Sequence, residues 1–191
     1  MTLKPDSSFL PYISLFIGIL TVIPGAFTLA MPEKAESVWK AFPRSVWHGR
    51  IISVICLVWS ALWISAMPLG PLMIVRQYLW ILLPVSIAAV WFLIPELLSC
   101  RAIGGLLVLL PAPMLSAAAW HPSNMRYIII VYAYVMSIAG MFYIAFPWLL
   151  RDNITWLYDK PRRAKVMAVF KVAFGIALVI LSFLFRKYQV A

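Results

Sequence analysis

Six long apolar runs alternate with short, polar and mostly basic connections along the chain. They cover roughly residues 9–30, 51–67, 78–94, 102–120, 127–147 and 166–185. A helix that crosses a hydrocarbon core needs about 20 predominantly apolar residues, each rising about 1.5 Å. All six runs come near that length, so the pattern predicts an all-α, polytopic membrane bundle of six spans forming one domain over residues 1–191. Four runs are conventional. The third contains Pro84 and closes on Pro95, and the fourth is short, with Gly104-Gly105 near its start and Pro111-Ala112-Pro113 in its middle.

The fourth run is expected to cross as a helix distorted over residues 110–113. Each proline removes one intrahelical donor and clashes with the carbonyl four residues earlier, here those of Leu107 and Leu109. Freed carbonyls are costly in lipid, so neighbouring helices should cover them. Arg101 would hold one end at the headgroups and Trp120 would mark the other interface. The first run could also be read as a signal peptide, with "TLA" before Met31 as its cleavage site. Its n-region has only Lys4 offset by Asp6, and its apolar part exceeds a usual h-region, which favours an uncleaved helix.

The charges then orient the bundle. With six crossings, the connections around 31–50, 96–101 and 148–165 share one side and carry ten Lys and Arg: Lys34, Lys40, Arg44, Arg50, Arg101, Arg151, Lys160, Arg162, Arg163 and Lys165. The opposite side carries five, Lys4, Arg76, Arg126, Arg186 and Lys187, with Lys171 inside the sixth run. The positive-inside rule places the richer side in the cytoplasm and both termini outside it. If the fourth run did not cross, the two richest basic loops would face opposite sides, against that rule.

The longer connections are amphipathic. Val38, Trp39 and Phe42 fall on one helical face of the first, opposite Glu33, Lys34, Glu36 and Lys40; Leu150, Ile154, Leu157 and Tyr158 form a similar stripe in the second. Both suit short helices at headgroup level. Each odd run closes on a proline, Pro32, Pro95 or Pro147, and each even run follows a basic residue, Arg50, Arg101 or the Arg163/Lys165 pair. The chain therefore reads as three helical hairpins, the middle one with a shortened loop.

Residues 140–187, a glycine-bearing apolar helix, Pro147, a basic amphipathic connector and a second glycine-bearing helix, resemble the small two-helix bacterial inner-membrane proteins of unknown function. The resemblance covers about a quarter of the chain. It implies a bacterial inner-membrane setting and carries no activity or site residue. Three proline-marked hairpins are also similar to mitochondrial carriers. However, the acidic and basic pairs that should follow each proline are missing, and the chain is far too short.

Composition narrows the function classes. The chain is 64% hydrophobic and 12% charged, where soluble domains run about 45–50% and about 25%. The net charge of +10 would ordinarily raise nucleic acid, but these Lys and Arg lie between apolar runs, where they serve as topology signals and contacts for anionic lipid headgroups. Nucleic-acid binding is not expected. Cys56 and Cys100 form no CxxC or Cys/His cluster, so neither a disulfide framework nor a zinc site is expected.

Ionisable groups in apolar runs are the default functional candidates in a membrane, because they are expensive there. Lys171 and Glu96 qualify. Lys171 shares a face with Ala168, Gly175 and Ser182, small residues that suit close helix contact. Glu96 is expected at the same membrane side, so a Lys171–Glu96 or Glu96–Arg101 ion pair is feasible. These three residues form the candidate intramembrane polar site. His48 and His121 are expected on opposite faces and so cannot share a metal or haem; His121 reads as structural or lipid-facing. No Ser/His/Asp set, HExxH, P-loop or GxGxxG is present, so neither catalysis nor a cofactor is expected.

Two functions fit. The first is a structural, assembly or accessory protein contacting other membrane subunits or a second copy of itself. The second is a small transporter or lipid- or small-molecule-binding protein using the broken run 102–120, with Trp59, Trp63 and Trp91 lining its site. A cavity near Pro111 containing Lys171 or Glu96 would favour the second. Topology itself is testable: reporter fusions after Val46, Arg101 and Lys160 should all report cytoplasm, and a fusion after Lys160 reporting the outside would exclude six crossings.

Overall fold

The computed structural model describes residues 9–67, 73–93, 97–119 and 121–190. The described residues are almost entirely helical: α1 Leu10–Ala30, α2 Pro32–Ala41, α3 Val46–Ala66, α4 Met73–Leu93, α5 Leu98–Leu109, α6 Pro111–Ala119, α7 Arg126–Ala145, α8 Pro147–Asp159 and α9 Pro161–Val190. A 3-10 turn, Phe42–Arg44, links α2 to α3. Six stretches are long and apolar enough to cross a membrane, with α5 and α6 forming one of them, Leu98–Ala119. The second and sixth spans, α3 and α9, begin earlier than their apolar runs, at Val46 and Pro161. Hydropathy marks the length in contact with lipid, whereas backbone hydrogen bonding continues through flanking polar residues.

The first and last spans form the closest pair. They run antiparallel, and a Cβ placed on Gly18 would lie 2.9 Å from the carbonyl oxygen of Gly175, while one on Gly175 would lie 2.9 Å from that of Gly18. Only a missing side chain on both lets the backbones approach so closely. Ser14 Oγ donates to the Leu178 carbonyl at 2.9 Å and Ser182 Oγ to that of Pro11 at 2.7 Å. The face that Lys171 shares with Ala168, Gly175 and Ser182 is therefore turned towards α1. Gly104 of α5 and Gly140 of α7 repeat the arrangement, each facing the other's carbonyl oxygen.

The fourth span is broken where the prolines require it. Leu110 keeps helical angles, φ −56° and ψ −38°, and its N–H still reaches the Leu106 carbonyl at 3.0 Å. Pro111 has no N–H to continue the ladder. Leu110, Pro111 and Met114 are buried, and the break is filled by a core that includes Leu10, Ile17, Ile129, Met136, Leu178 and Phe185. Neighbouring helices cover the bend, so no lipid-facing gap opens there. Trp120 lies outside the described residues.

The three-hairpin reading holds at two of its junctions, Pro95 lying outside the described residues, and fails for packing. Met31 (φ −137°, ψ 71°) and Phe146 (φ −126°, ψ 74°) turn the chain in the same way before Pro32 and Pro147, each a helix-starting proline. The ring of the following proline drives the preceding residue out of the α region, so the same dipeptide logic ends α1 and α7 alike. But α1 packs chiefly on α9, α5 on α7 and α3, and α4 on α3. The spans joined by α2 and by α8 are not main partners, because a helix lying between them holds their ends apart.

On α2 the buried face is Ala35 with Trp39 packed beside it, while Val38 is 54% exposed. The expected Val38 stripe is thus corrected: α8 supplies the partner surface, through Tyr158, Ile154 and Leu157, and selects the face with the small Ala35.

Overpacking the glycine seams should be destabilising. Gly18→Leu or Gly175→Leu is expected to cost about 1–3 kcal/mol, since rigid backbone meets the added atoms. Gly105, whose Cβ would sit 3.7 Å from Cys56 Sγ, should accept Ala and gain up to about 1 kcal/mol of helix propensity. Unfolding by added denaturing detergent in micelles measures both.

Candidate functional site

Pro24 and Thr28 of α1, Trp39 of α2, Tyr158 of α8 and Ala164, Ala168 and Lys171 of α9 enclose a cleft of about 130 Å³ at the basic end of the bundle. The elements are brought together by the α1–α9 seam, which fixes Lys171 beside Gly25: a Cβ on Gly25 would lie 3.3 Å from that of Lys171. Interfacial helices α2 and α8 then roof the end of the seam through Ala35, Tyr158 and Ala164.

The cleft has two hydroxyls and one ammonium. Thr28 Oγ1 donates to the Pro24 carbonyl at 2.8 Å, so its contact of 3.2 Å with Tyr158 Oη has the phenol as donor. Burial raises the Tyr158 pKa; the Thr28 hydrogen bond lowers it in part, and the Glu36 charge raises it further. The phenol therefore stays neutral. Lys171 is exposed at the rim and makes no ion pair among the described residues. Glu96 lies outside the described residues, and with it the anticipated Lys171–Glu96 and Glu96–Arg101 pairs.

Arg101 does not line this cleft; it is half-buried on α5, and its Nε is buried with no hydrogen-bond partner among the described residues. Among the described residues, Ile103 is the only one of the broken span in the cleft wall. Of the sequence-derived triad, Lys171 and Arg101 are thus not brought together at this cleft, and Glu96 falls outside the described residues. The hydroxyl partners Thr28 and Tyr158 were missed. Thr28 continues the seven-residue spacing of Ser14 and Thr21 on α1, and Tyr158 sits on the amphipathic stripe of α8, but only α1–α8 contact pairs them.

No family model, curated protein or solved structure matches the chain. The chemistry must therefore be read from the residues alone. The Lys171 ammonium can hold an anion, whereas both hydroxyl protons are already committed, that of Thr28 to Pro24 and that of Tyr158 to Thr28. These groups supply no nucleophile–base pair, and among the described residues no three His, Cys, Asp or Glu side chains come together to hold a metal ion.

Two of the three tryptophans proposed to line a site, Trp59 and Trp91, have other contacts. Trp59 packs against the main core. Trp91 lies 5.3 Å beneath the Arg50 guanidinium, tying α4 to α3. His48 is held by Ser45 and Phe42 near the basic end, while His121 lies against Phe185 in the main core, well away from it.

His121 is completely buried, so its structural reading is right and its lipid-facing one is not. Its Nδ1 accepts the Ser123 N–H at 3.2 Å, which leaves the proton on Nε2. Nε2 has no partner in hydrogen-bond geometry, although the Phe185 carbonyl is near enough to favour a charged ring. Burial lowers the pKa and outweighs that carbonyl, with the Arg126 charge adding to the lowering. The folded pKa thus lies below the ordinary 6.5. As pH falls through about 6.5 the unfolded chain takes up a proton that the folded ring resists, so stability should decline on the acid side and stay level above it. The unfolding midpoint followed from pH 8 to pH 5 should show that slope, and His121→Gln should lose it.

Proposed function

We propose that this membrane protein is a structural or assembly component that holds a partner in the bilayer. The observation that carries this reading is the position of α4. Among the described residues α4 has α3 as its main neighbour, and 6% of its membrane-length window is buried, against 22–33% for the other five spans. Its outer face presents Tyr78, Ile81, Val85 and Phe92. A span that contributes so little to its own fold is suited to contact with another membrane chain, or with a second copy of this one, since helix association in lipid depends on available side-chain surface.

The alternative, a transporter or small-molecule-binding protein built on 102–120, has less support. The bend at Leu110–Pro111 is packed with core side chains, and the cleft with Lys171 lies away from it. In the proposed setting, a bacterial inner membrane, the ten basic residues of α2, α8 and the neighbouring helix ends face the cytoplasm and both termini lie outside it.

A photo-reactive residue at Ile81 or Phe92 tests the proposal in native membranes. Irradiation should give a protein adduct of discrete mass from these positions and none from Phe16 on α1, which is 59% exposed. Lipid adducts alone at all three positions would defeat the assembly reading.

A further inference from the structure

Two grooves flank α8 at the basic end, and their charges differ. The first runs past Lys40, Arg44 and Arg151, with Asp152 and Asp159 in its wall. There Lys40 meets Glu36 at 2.7 Å and Arg151 meets Asp152 at 3.0 Å, so carboxylates already answer two of its cations. The second lies at the elbow where α8 turns into α9. It has a volume of about 410 Å³ and three cations in its wall, Lys160, Arg162 and Arg163, with no carboxylate. None of the three makes an ion pair among the described residues.

The elbow also joins charge to apolar surface. Its cations sit at the helix junction, Trp156 of α8 stands beside Arg163, and Val166 and Met167 follow the cations along α9, both exposed. A phospholipid likewise joins a phosphate to acyl chains. Arg163 is already positioned: its guanidinium lies 4.4 Å over the Trp156 ring, and Nη1 donates to the Trp156 carbonyl at 3.4 Å. Stacking fixes the plane of the fork and leaves its other donors available for a phosphate oxygen.

We propose that the α8–α9 elbow is a binding site for an anionic phospholipid. Lys160, Arg162 and Arg163 hold the headgroup phosphate, and Val166 and Met167 take the first acyl methylenes. The site is distinct from the Lys171 cleft, although Leu157 and Met167 form a wall of both.

The test uses the full chain in dodecyl maltoside, titrated with phosphatidylglycerol or phosphatidylcholine and read by native mass spectrometry as lipid retained per chain. Each basic residue at an anionic surface contributes roughly fivefold in affinity, so the variant Lys160→Gln/Arg162→Gln/Arg163→Gln should lose at least about 10-fold of the preference for phosphatidylglycerol. The variant Lys40→Gln/Arg44→Gln/Arg151→Gln, in the other groove, should lose no more than about fivefold of that preference, the share of Arg44 alone, because its other two cations are already neutralised. Should the elbow triple not fold, Arg162→Gln alone should lower the preference and Arg162→Lys should restore it. Equal loss in both triples, or no loss at the elbow, overturns the proposal. Displacement of bound phosphatidylglycerol by millimolar inorganic phosphate or by a short oligonucleotide would overturn it too, by assigning the elbow to a soluble anion.

Discussion

The contact on which the other placements depend is the meeting of α1 and α9 at Gly18 and Gly175. In a bilayer, lipid tails compete with every apolar side chain, so hydrophobicity alone does not pair one span with another. Shape does. Two glycines opposite each other let the backbones approach closely, and Ser14 and Ser182 add hydrogen bonds to carbonyls across the seam. This seam joins the first span to the last, and the pair meets the middle spans chiefly through α6. Gly104 and Gly140 then hold α5 to α7 on the same principle.

From the α1–α9 seam the basic end follows. Each of α1 and α7 stops at a residue forced out of the helical region by the next proline, and each continues as an amphipathic helix. Because α1 and α9 are locked together, α2 and α8 arrive over the same end and bury Ala35 and Tyr158 against each other. That meeting creates the cleft beside Lys171, the paired-charge groove and the unpaired elbow. The polar features concentrate at one end because connections, and not spans, can keep charged groups in water.

The prolines illustrate how one residue type serves different ends. Pro32 and Pro147 start helices and redirect the chain. Pro111 breaks a span, but inside a filled core. Its effect is to fit α6 to α7 and to α1, and core side chains fill the resulting bend. Pro24 remains within α1, where its carbonyl accepts from Thr28 and thereby leaves the Tyr158 phenol to act as donor.

Much of the architecture was legible in the sequence. Six apolar runs of spanning length, two amphipathic connectors and a proline-distorted fourth run are consequences of local chemistry: hydropathy period, proline geometry and the cost of bare amides in lipid. The small-residue face around Lys171 was legible as a packing face. Its partner was not, since Gly18 and Gly175 are separated by most of the chain and small residues occur in several spans. For the same reason sequence order suggested hairpins where the structure pairs first with last. The candidate site was the least legible part. Thr28, Tyr158 and Lys171 become neighbours only when three helices meet, whereas the expected topology had grouped Lys171 with Glu96 and Arg101. Sequence by itself determined which segments can lie in lipid, because each residue's transfer energy is local. Tertiary structure alone decided which helices touch and which polar groups share a cleft, because close packing depends on complementary surfaces that no single segment contains.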